Sequence, residues 1–567
     1  MMAQADQDKD GKLSKKELET VADAWFAAWD KEKSGRLSGD QLRDGMNASF
    51  TPTNAGPGGF GGGGPPMMNL QGPEGKRNGV AAMMGVDFKQ VHASVEIEGQ
   101  VFKDVAVRYK GNGTFLESRG SIKRSLKVDL NKFDKAQKFA GVTTLNLHNN
   151  VTDPSWMNEV LSHRLYRDAK VPAPRTAYAR VYVTVPGKYD KKYFGLYSLV
   201  EDPGKGRAAE MFGTKGVAVF KPVTPRLFSY LGEDWKAYNQ TYDPKTDLAP
   251  EHKARVIEFC KLVSNADDAE FARRLGEFVD YDELGRFMAV MVFLSDLDGI
   301  LGPGQNLYLY LDPKSGRFLF VPWDQDHSFG QFGMRGTQEQ RENLSINKPW
   351  QGANPFLERV FKVPDFKKAY LASVSEFSKT IFEPSRFAAQ VDELAAVLRP
   401  SVEEESTEKL ERFNKVVGGE MPRPTGFGAF FSQPIKPIKP FTVIRAKSVA
   451  DQLAGKSEGR VLEEFSFPGM GGPGRGQARV GVGNFAGDTL LTALDTDKDK
   501  ALSKAEFLGG LGKWFDSWDK EKSGVLTSDQ LRDGLNAELS PFRGGPPGGG
   551  PGGPGFGFPG GPPPGQQ

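Results

Sequence analysis

Short runs in which apolar and polar residues alternate fill the chain between about residue 80 and residue 330. Residues 93–97 (ASVEI) and 180–185 (RVYVTV) show the period of two that is typical of half-buried β-strands. Longer stretches with apolar residues at helical spacing predict helices over residues 154–169, 251–277, 281–295, 355–398, 402–416 and 440–455. The pattern therefore predicts an α+β domain over residues 80–460.

The two ends of the chain repeat one pattern. Residues 29–47 read WDKEKSGRLSGDQLRDGMN, and residues 518–536 read WDKEKSGVLTSDQLRDGLN. Such self-similarity indicates two copies of one small module, which we assign to residues 1–50 and 487–543. Gly and Pro dominate the remaining segments, which predicts linkers over residues 51–79 and 461–486 and a disordered tail over residues 544–567.

Each terminal module opens with a loop that has the residue spacing of a calcium site. An EF-hand loop needs oxygen ligands at positions 1, 3, 5, 9 and 12, and a glycine at position 6. Residues 6–17 (DQDKDGKLSKKE) meet all of these requirements, and Leu13 is the apolar residue that would join a paired loop through a short strand. Residues 495–506 repeat the loop, but Lys500 replaces the glycine, and lysine adopts positive φ only at a cost.

The second loop of each module is the weaker calcium site. Residues 30–41 and 519–530 end in Gln instead of the bidentate Glu, so each lacks one charge and one ligand oxygen. We expect all-α EF-hand pairs, in which residues 30–41 act mainly as the structural partner of residues 6–17. The predicted ligands are Asp6, Asp8, Asp10, Lys12, Ser14 and Glu17; Asp30, Glu32 and Ser34; Asp495, Asp497, Asp499, Ala501, Ser503 and Glu506; and Asp519, Glu521 and Ser523.

Composition narrows the classes of function. The formal net charge of +2 gives no electrostatic reason to expect nucleic acid or an anionic membrane as a partner. Cys260 is the single cysteine, which excludes a disulfide within the chain and a cysteine-ligated metal site. No apolar run approaches the ~20 residues that span a bilayer. The opening residues resemble the end of a cleavage site, so we expect a secreted, periplasmic or cell-surface protein whose signal peptide has been removed.

Three central stretches carry the residue types that phosphoryl transfer uses. Residues 108–130 join a Gly-containing turn (KGNGT) to a strand with lysines (KRSLKVDL), and main-chain N–H groups and lysines can hold phosphates. Residues 294–310 place two aspartates (LSDLDG) before an asparagine (NLYLY). Residues 318–330 (FLFVPWDQDHSFG) end a buried strand in carboxylates, which suit magnesium.

In this order the motifs resemble the kinase-like family of spore coat protein H (CotH). The resemblance covers about residues 80–460 and rests on KGNGT, KRSLKV, DPSWMNEVLSHRLYRDAKVPAPR, GLYSLVE, NLYLY and FVPWDQDHSFG. It implies an atypical protein-kinase fold that transfers the γ-phosphate of ATP, with Mg²⁺ or Mn²⁺, to Ser or Thr of a protein substrate. The EF-hand loops add Ca²⁺ as an expected ligand.

The resemblance also implies roles for polar residues near the predicted strand ends. Asp298 resembles the catalytic-loop Asp that accepts the substrate proton, and Asp296 completes the predicted catalytic pair. Asn306 resembles the metal-binding Asn, and Asp324 resembles the metal-binding Asp after the strand. Asp326 would support Asp324, either as a second metal ligand or as a residue that contacts Asp324 without contacting the metal.

Three lysines and a glutamate are candidates for contact with the nucleotide. Strand alternation favours Lys127 as the phosphate-binding lysine, with Lys123 as its rival. Glu201 follows a strand and would orient the lysine or contact the nucleotide, and Lys221 is a further candidate. A surface salt bridge is the alternative role for Glu201 and Lys221. We interpret His327 as a core histidine.

Two classes of function stay open at this point. The retained acids Asp298, Asp324 and Asp326 favour a kinase, whereas the scarcity of ATP outside cells favours a calcium-binding surface protein with a pseudokinase scaffold. Calcium control of the kinase is a third hypothesis, supported by the position of the modules on either side. The sequence also leaves open whether the two ends fold into one EF-hand bundle.

Overall fold

The computed structural model describes four parts of the chain, residues 5–50, 88–421, 435–462 and 490–538, with gaps at residues 9, 32, 112, 119–120, 334, 500, 528–529, 532–533 and 536–537. The chain divides into two units: both ends form one, and the central residues form the other. Glu32, the predicted linker over residues 51–79, nearly all of the linker over residues 461–486 and the predicted tail lie outside the described residues.

The N-terminal end forms two loop–helix elements. Strand β1 (Lys12–Ser14) leads into helix α1 (Lys15–Trp29), and strand β2 (Arg36–Ser38) leads into helix α2 (Gly39–Phe50). Ser14 accepts a hydrogen bond from the Glu17 main chain, and Glu17 accepts one in return, so that a capping box begins α1.

An antiparallel sheet of six strands begins the central unit, and its spatial order is β3-β4-β5-β6-β8-β7. The elements of this part are β3 (Val91–Ile97), β4 (Gln100–Tyr109), α3 (Gly113–Glu117), β5 (Leu126–Asp129), β6 (Thr144–His148), α4 (Asn158–Asp168), β7 (Thr176–Val185) and β8 (Tyr189–Glu201). The sheet has its own apolar core, in which Val128, Leu130 and Tyr197 are buried. The alternation at residues 93–97 and 180–185 therefore predicted strands correctly.

A helical region with a second, smaller sheet follows. Its elements are α5 (Lys205–Phe212), β9 (Ala218–Phe220), α6 (Lys236–Tyr242), α7 (Pro250–Asn265), α8 (Asp268–Arg274), α9 (Tyr281–Leu294), β10 (Leu307–Leu311), β11 (Phe318–Pro322), α10 (Gln338–Glu342), α11 (Pro355–Val360), α12 (Pro364–Ser378), α13 (Pro384–Glu405), α14 (Thr407–Val417) and α15 (Ile438–Leu453). Strand β10 lies between β9 and β11 in an antiparallel sheet of three strands. The prediction of mixed helices and strands is confirmed.

Prolines and caps divide the longer predicted helices. The stretch over residues 355–398 forms α11, α12 and α13, each of which begins at a proline, where the missing N–H costs nothing. The stretch over residues 251–277 is interrupted where Asp267 caps α8. Helix α9 is buried on almost every side and forms the centre of the largest core, because nearly all of its residues from Leu284 onward are apolar.

The C-terminal end repeats the loop–helix design with β12 (Ala501–Ser503), α16 (Lys504–Trp518) and β13 (Val525–Thr527). Strand β1 pairs with β13 and strand β2 pairs with β12, so each loop pairs with a loop from the opposite end. Our expectation that residues 6–17 pair with residues 30–41 is therefore wrong. Because all four loops carry Leu at position 8, the local sequence does not distinguish one partner from another.

One apolar core holds this terminal unit together. The ring of Phe507 on α16 lies 5.8 Å from that of Phe26 and 5.6 Å from that of Trp29, both on α1. Over the described parts of both units, no helix is long and apolar enough to cross a membrane.

Candidate functional site

The hairpin of β10 and β11 brings two predicted metal ligands to the same end of a sheet. Leu307 pairs with Pro322, and the Trp323 N–H donates to the Asn306 carbonyl at 3.0 Å. Asn306 and Asp324 therefore leave the hairpin side by side, although 18 positions separate them in the sequence. Both have positive φ, 59° and 55° respectively, a conformation that Asn and Asp adopt more readily than other residues with a side chain. Such backbone strain is concentrated at functional sites.

The loop after helix α9 brings Asp298 to the same place. The Asp298 carboxylate accepts hydrogen bonds from the side-chain amides of Asn306 and Gln305, each at 2.8 Å. Ser295 ends the helix in the left-handed conformation, which turns the chain towards the hairpin. Two amide donors thus fix the carboxylate that we predicted as the proton acceptor.

Asp296 lies behind Asp298 and is fully buried. Its carboxylate accepts hydrogen bonds from the Gln325 side-chain amide at 2.9 Å and from the Asp298 main-chain N–H at 3.2 Å. Burial and the neighbouring charge of Asp298 raise the pKa of Asp296 to about 7. Because no part of its side chain is accessible, Asp296 positions the loop, and the direct catalytic role that we predicted for it is not supported.

A histidine and a second acid stand beside Asp324. His148 ends strand β6, and its Nδ1 lies 3.7 Å from an oxygen of Glu159 on α4 and 3.7 Å from an oxygen of Asp324. One ligand atom from each of the three residues falls within 4.8 Å of the others, so the group can hold a metal ion. The Asp324 side chain is 41 % exposed, which leaves this group open on one side.

Glu159 is held ionised in this group. Burial acts to raise its pKa, but the charges and hydrogen bonds of His148 and His163 outweigh that effect and hold the pKa below its usual range. Its second oxygen accepts the main-chain N–H of Gln325 at 2.8 Å. Helix α4 is thereby tied to the segment that carries Asp324.

Asp326 and His327 complete the acidic side of the site. Asp326 is buried and accepts the Thr152 hydroxyl at 2.6 Å, and burial raises its pKa to about 7. Although burial would lower the pKa of His327, the charges of Asp326, Asp298, Asp296 and Asp324 raise it. The His327 ring also packs against that of Phe332, with 5.0 Å between the ring centres, so its interpretation as a core histidine stays a prediction.

Two lysines approach the site over one aromatic ring. The Lys110 ammonium lies 2.5 Å from Nε2 of His148 and 5.1 Å from the centre of the Trp323 ring. Lys221 lies 5.5 Å from the same ring. Burial lowers the pKa of Lys110 to about 8, while the charges of Asp324 and Glu159 act in the opposite direction. The structure thus places Lys221, a predicted nucleotide contact, over the residue that precedes Asp324, and it adds Lys110.

Lys127 projects from β5 and pairs with Asp202 at 2.9 Å. Asp202 also lies 3.4 Å from the side-chain amide of Asn146 on the neighbouring strand β6. The charge of Lys127 acts on Lys110, which places Lys127 at the edge of the same group of charges. Asp202 therefore takes the place at the lysine that we predicted for Glu201.

Two of the predicted nucleotide contacts have internal partners. Lys123 is 2.6 Å from Glu405, and both side chains are almost completely buried. Glu201 accepts hydrogen bonds from the main chain and the guanidinium of Arg175 and lies 3.6 Å from Arg207. These ion pairs occupy both side chains, so the structure gives neither of them to a nucleotide, and for Glu201 the salt-bridge alternative holds.

Sequence reasoning assigned no role to four residues of this site. Lys110 opens the KGNGT turn, and Glu159 lies on the helix that the DPSWMNE segment begins, so each had a usable signal. His148 had a weaker one, as the last residue of a buried strand before two asparagines. Asp202 was masked by its acidic neighbour Glu201.

The predicted calcium ligands gather in two of the four terminal loops. Carboxylate oxygens come together in a first set of Asp6, Asp8 and Asp10 and in a second set of Asp495, Asp497 and Glu506. Hydrogen bonds from Ser14 are the main reason why the pKa of Glu17 falls to about 2, and Ser503 has the same effect on Glu506. Both closing glutamates are therefore ionised and preorganised.

In the other two loops, residues 30–41 and 519–530, the first Asp accepts hydrogen bonds from the main chain of its own loop. Asp30 accepts the main-chain N–H groups of Ser34 and Gly35, and Asp519 accepts those of Ser523 and Gly524. Gln41 accepts the Ser38 main-chain N–H at the position where a closing Glu would bind calcium. Residues 6–17 have the same bonds, from Gly11 to Asp6 and from Ser14 to Glu17, so the weaker calcium binding of the other two loops stays a prediction that rests on their missing Glu.

Comparison with known proteins places these features in a family. The family model described as CotH kinase protein matches residues 107–421, and one described as EF hand matches residues 1–22. Inner spore coat protein H of Bacillus subtilis (strain 168) is 24% identical over 316 residues, which cover 55% of this chain and 82% of that protein.

Proposed function

This chain belongs to the CotH kinase protein family and carries an EF-hand at its N-terminus, and from this premise we propose that its central unit is a metal-dependent protein kinase. It would transfer the γ-phosphate of ATP to a Ser or Thr hydroxyl of a secreted or surface protein. The observation that carries this proposal is the meeting of Asp298, Asn306 and Asp324 beside Lys110.

The donor set around Asp324 fits a divalent cation bound together with phosphates. Asp324 offers an oxygen ligand at the open side, His148 and Glu159 offer one further ligand atom each, and Asn306 stands next to Asp324 at the end of the hairpin. Mg²⁺ or Mn²⁺ with few protein ligands keeps sites free for phosphate oxygens. When bound, the cation would neutralise charge on the triphosphate.

Asp298 is the proton acceptor in this proposal. Its carboxylate is held by the amides of Gln305 and Asn306, which fix its orientation. Burial is the largest of the effects that raise the pKa of Asp298, which increases its affinity for the hydroxyl proton of the substrate.

The lysines form the opposite wall. Lys110 and Lys221 lie over Trp323, and Lys127 adds a third positive charge on strand β5. Three ammonium groups on one side and several carboxylates on the other suit a bound triphosphate with its cation. The ammonium groups would attract the phosphates, and the carboxylates would hold the cation.

Calcium binding and location complete the proposal. Residues 6–17 and 495–506 would bind Ca²⁺, which is the ligand that their carboxylate spacing suits. We infer that the protein acts outside the cytoplasm, where calcium is abundant enough for weak sites.

The alternative is a calcium-binding structural protein with an inactive central unit. It draws support from the coat-protein name of the Bacillus subtilis relative. The kinase proposal predicts phosphate transfer, whereas the alternative predicts calcium binding without transfer.

The decisive experiment compares Asp324→Asn with Asp312→Asn. Asp312 follows β10 at the far end of the same hairpin, so its variant makes the same change of charge away from the site. We expect Asp324→Asn to lose metal-dependent binding of ATP by calorimetry, and phosphate transfer, while Asp312→Asn keeps both. Wild-type protein that binds no ATP with either Mg²⁺ or Mn²⁺ would refute the kinase proposal.

A further inference from the structure

The two ligand-rich loops of the terminal unit face different partners. Residues 6–17 pair through β1 with β13 of residues 519–530, whereas residues 495–506 pair through β12 with β2 of residues 30–41. The paired loops come from opposite ends of the chain. At position 7, the first partner loop carries Val525 and the second carries Arg36.

Arg36 reaches the acidic ligands of the facing loop. Its guanidinium forms an ion pair with Asp499 and lies 3.6 Å from Asp497. These aspartates occupy positions 5 and 3 of residues 495–506, where calcium ligands are expected. Asp497 also belongs to the carboxylate set with Asp495 and Glu506.

Arg36 brings a positive charge to this group of acids. The guanidinium therefore neutralises part of the charge that a bound cation would neutralise. In the pseudo-equivalent pair of loops, the apolar side chain of Val525 brings no charge to residues 6–17.

We propose that Arg36 is a built-in cation that competes with calcium for residues 495–506, so that one end of the chain sets the calcium affinity of the other. Residues 6–17 fill at low calcium concentration, and residues 495–506 fill only at higher concentration, when Arg36 is displaced. The inference rests on the proposal that both loops bind calcium, and it is independent of the kinase activity.

The test is a calorimetric titration of the full-length protein with Ca²⁺ alone. A Glu17→Gln background weakens calcium binding to residues 6–17, so that the titration reports on residues 495–506. Arg36→Val is then added, because valine is the residue at the same position of residues 519–530. We expect the affinity of residues 495–506 to rise at least tenfold. Lys31→Gln removes the same charge from the same loop, away from the acids, and should change the affinity less than twofold.

The reciprocal variant tests the same mechanism in the opposite direction. In a Glu506→Gln background, Val525→Arg should weaken calcium binding to residues 6–17 about as much as Arg36→Val strengthens binding to residues 495–506. Arg36→Gln, which keeps a polar side chain of similar length, serves as the second variant if Arg36→Val lowers the melting temperature.

Equal calcium affinities of residues 495–506 with and without Arg36 would overturn the inference while leaving calcium binding intact. If the wild-type loops bind no calcium at all, the proposed calcium function itself fails. The two results are distinguishable in one titration series.

Discussion

The two lysines of the KRSLKV segment have opposite surroundings although they are four positions apart. Lys123 and Glu405 form a buried pair with side chains 6 % and 3 % exposed, whereas Lys127 and Asp202 are each about one quarter exposed. Removing one partner of a buried pair leaves an uncompensated charge in the interior, which an exposed pair does not. Lys123 therefore acts on stability, whereas Lys127 is partly exposed and could exchange Asp202 for a ligand.

We expect Lys123→Met to lower the free energy of unfolding by about 2–3 kcal/mol, because Glu405 loses its buried partner and keeps only Lys409, 2.7 Å away and partly exposed. Lys127→Met should change it by less than about 1 kcal/mol, but should weaken ATP binding at least tenfold. Urea titration measures the first quantity, and calorimetry with Mg²⁺ and ATP measures the second. Equal losses of stability in the two variants would contradict this assignment.

A second prediction concerns Asp296. Its pKa of about 7 in the folded protein is above the ordinary value of an unfolded Asp, so its contribution to stability is present below pH 4 and is lost as the pH rises towards 7. Asp296→Asn removes this titration. Between pH 5 and pH 8 without divalent metal, the wild type should lose about 2–3 kcal/mol more of its unfolding free energy than the variant. Parallel curves of stability against pH would show that Asp296 is ionised throughout.

Single residues also show where sequence reasoning ends. Strand alternation places Lys123 and Lys127 on one face and cannot separate them, because the partner of Lys123 is Glu405, 282 positions away. Asp298, Asn306 and Asp324 could be predicted as a group, since they flank a helix and two strands with recognisable motifs. His148 and Asp202 could not be assigned a role, because their importance arises only when strand β6 pairs with β5 on one side and β8 on the other.

Among the secondary-structure elements, helix α15 has the most influence on the site without contributing a residue to it. Arg445 on α15 is fully buried and donates hydrogen bonds to the carbonyls of Val292 and Phe293, at the end of helix α9, and to that of Leu344. The positive charge also suits the negative end of the α9 dipole. Helix α15 thus fixes the point from which the loop with Asp298 begins, although it lies beyond the residues that the family model matches.

We expect Arg445→Met to lower the free energy of unfolding by about 3 kcal/mol, because three buried carbonyls lose a charged donor. Arg445→Lys should lose less, since the ammonium keeps the charge and part of the hydrogen bonding. Urea unfolding followed by tryptophan fluorescence measures both variants. If Arg445→Met unfolds at the wild-type urea concentration, helix α15 does not hold the end of α9.

The helices were easier to predict than their connections. Apolar spacing identified α9 and α15 nearly to the residue, since each is long and has a proline or an acidic cap at its start. The same spacing merged α11, α12 and α13 into one stretch, because a short break at a proline leaves the apolar period almost unchanged. Pro355, Pro364 and Pro384 were the available signals.

On the scale of the whole molecule, the terminal unit joins segments from opposite ends of the sequence. Leu13 faces Leu526 and Leu37 faces Leu502, so neither end has a paired loop of its own. The sequence repeat predicted that the two ends are alike. It could not predict that they pair with each other, because nearly identical loops make both arrangements compatible with the pattern.

A cleavable chain tests this arrangement. With a specific protease site inserted between residues 60 and 61, the N-terminal fragment should remain bound to the rest after cleavage in calcium, because two strand pairs and a common apolar core hold it. Size-exclusion chromatography shows whether the fragment co-elutes. Leu526→Asp, which places a charge opposite Leu13, should release it, and release from the wild-type sequence would mean that each end folds alone.

The distance along the chain between the paired strands also determines how long the N-terminal strands wait for their partners during synthesis. A growing chain emerges at roughly 5–20 residues per second, so Leu526 follows its partner Leu13 by about 500 residues and roughly 25–100 seconds. During that interval the tryptophan-rich face of helix α1 has no C-terminal helix to cover it. Nascent chains of this protein therefore expose an apolar surface until translation is almost complete. During this time a chaperone or another nascent chain can bind to it.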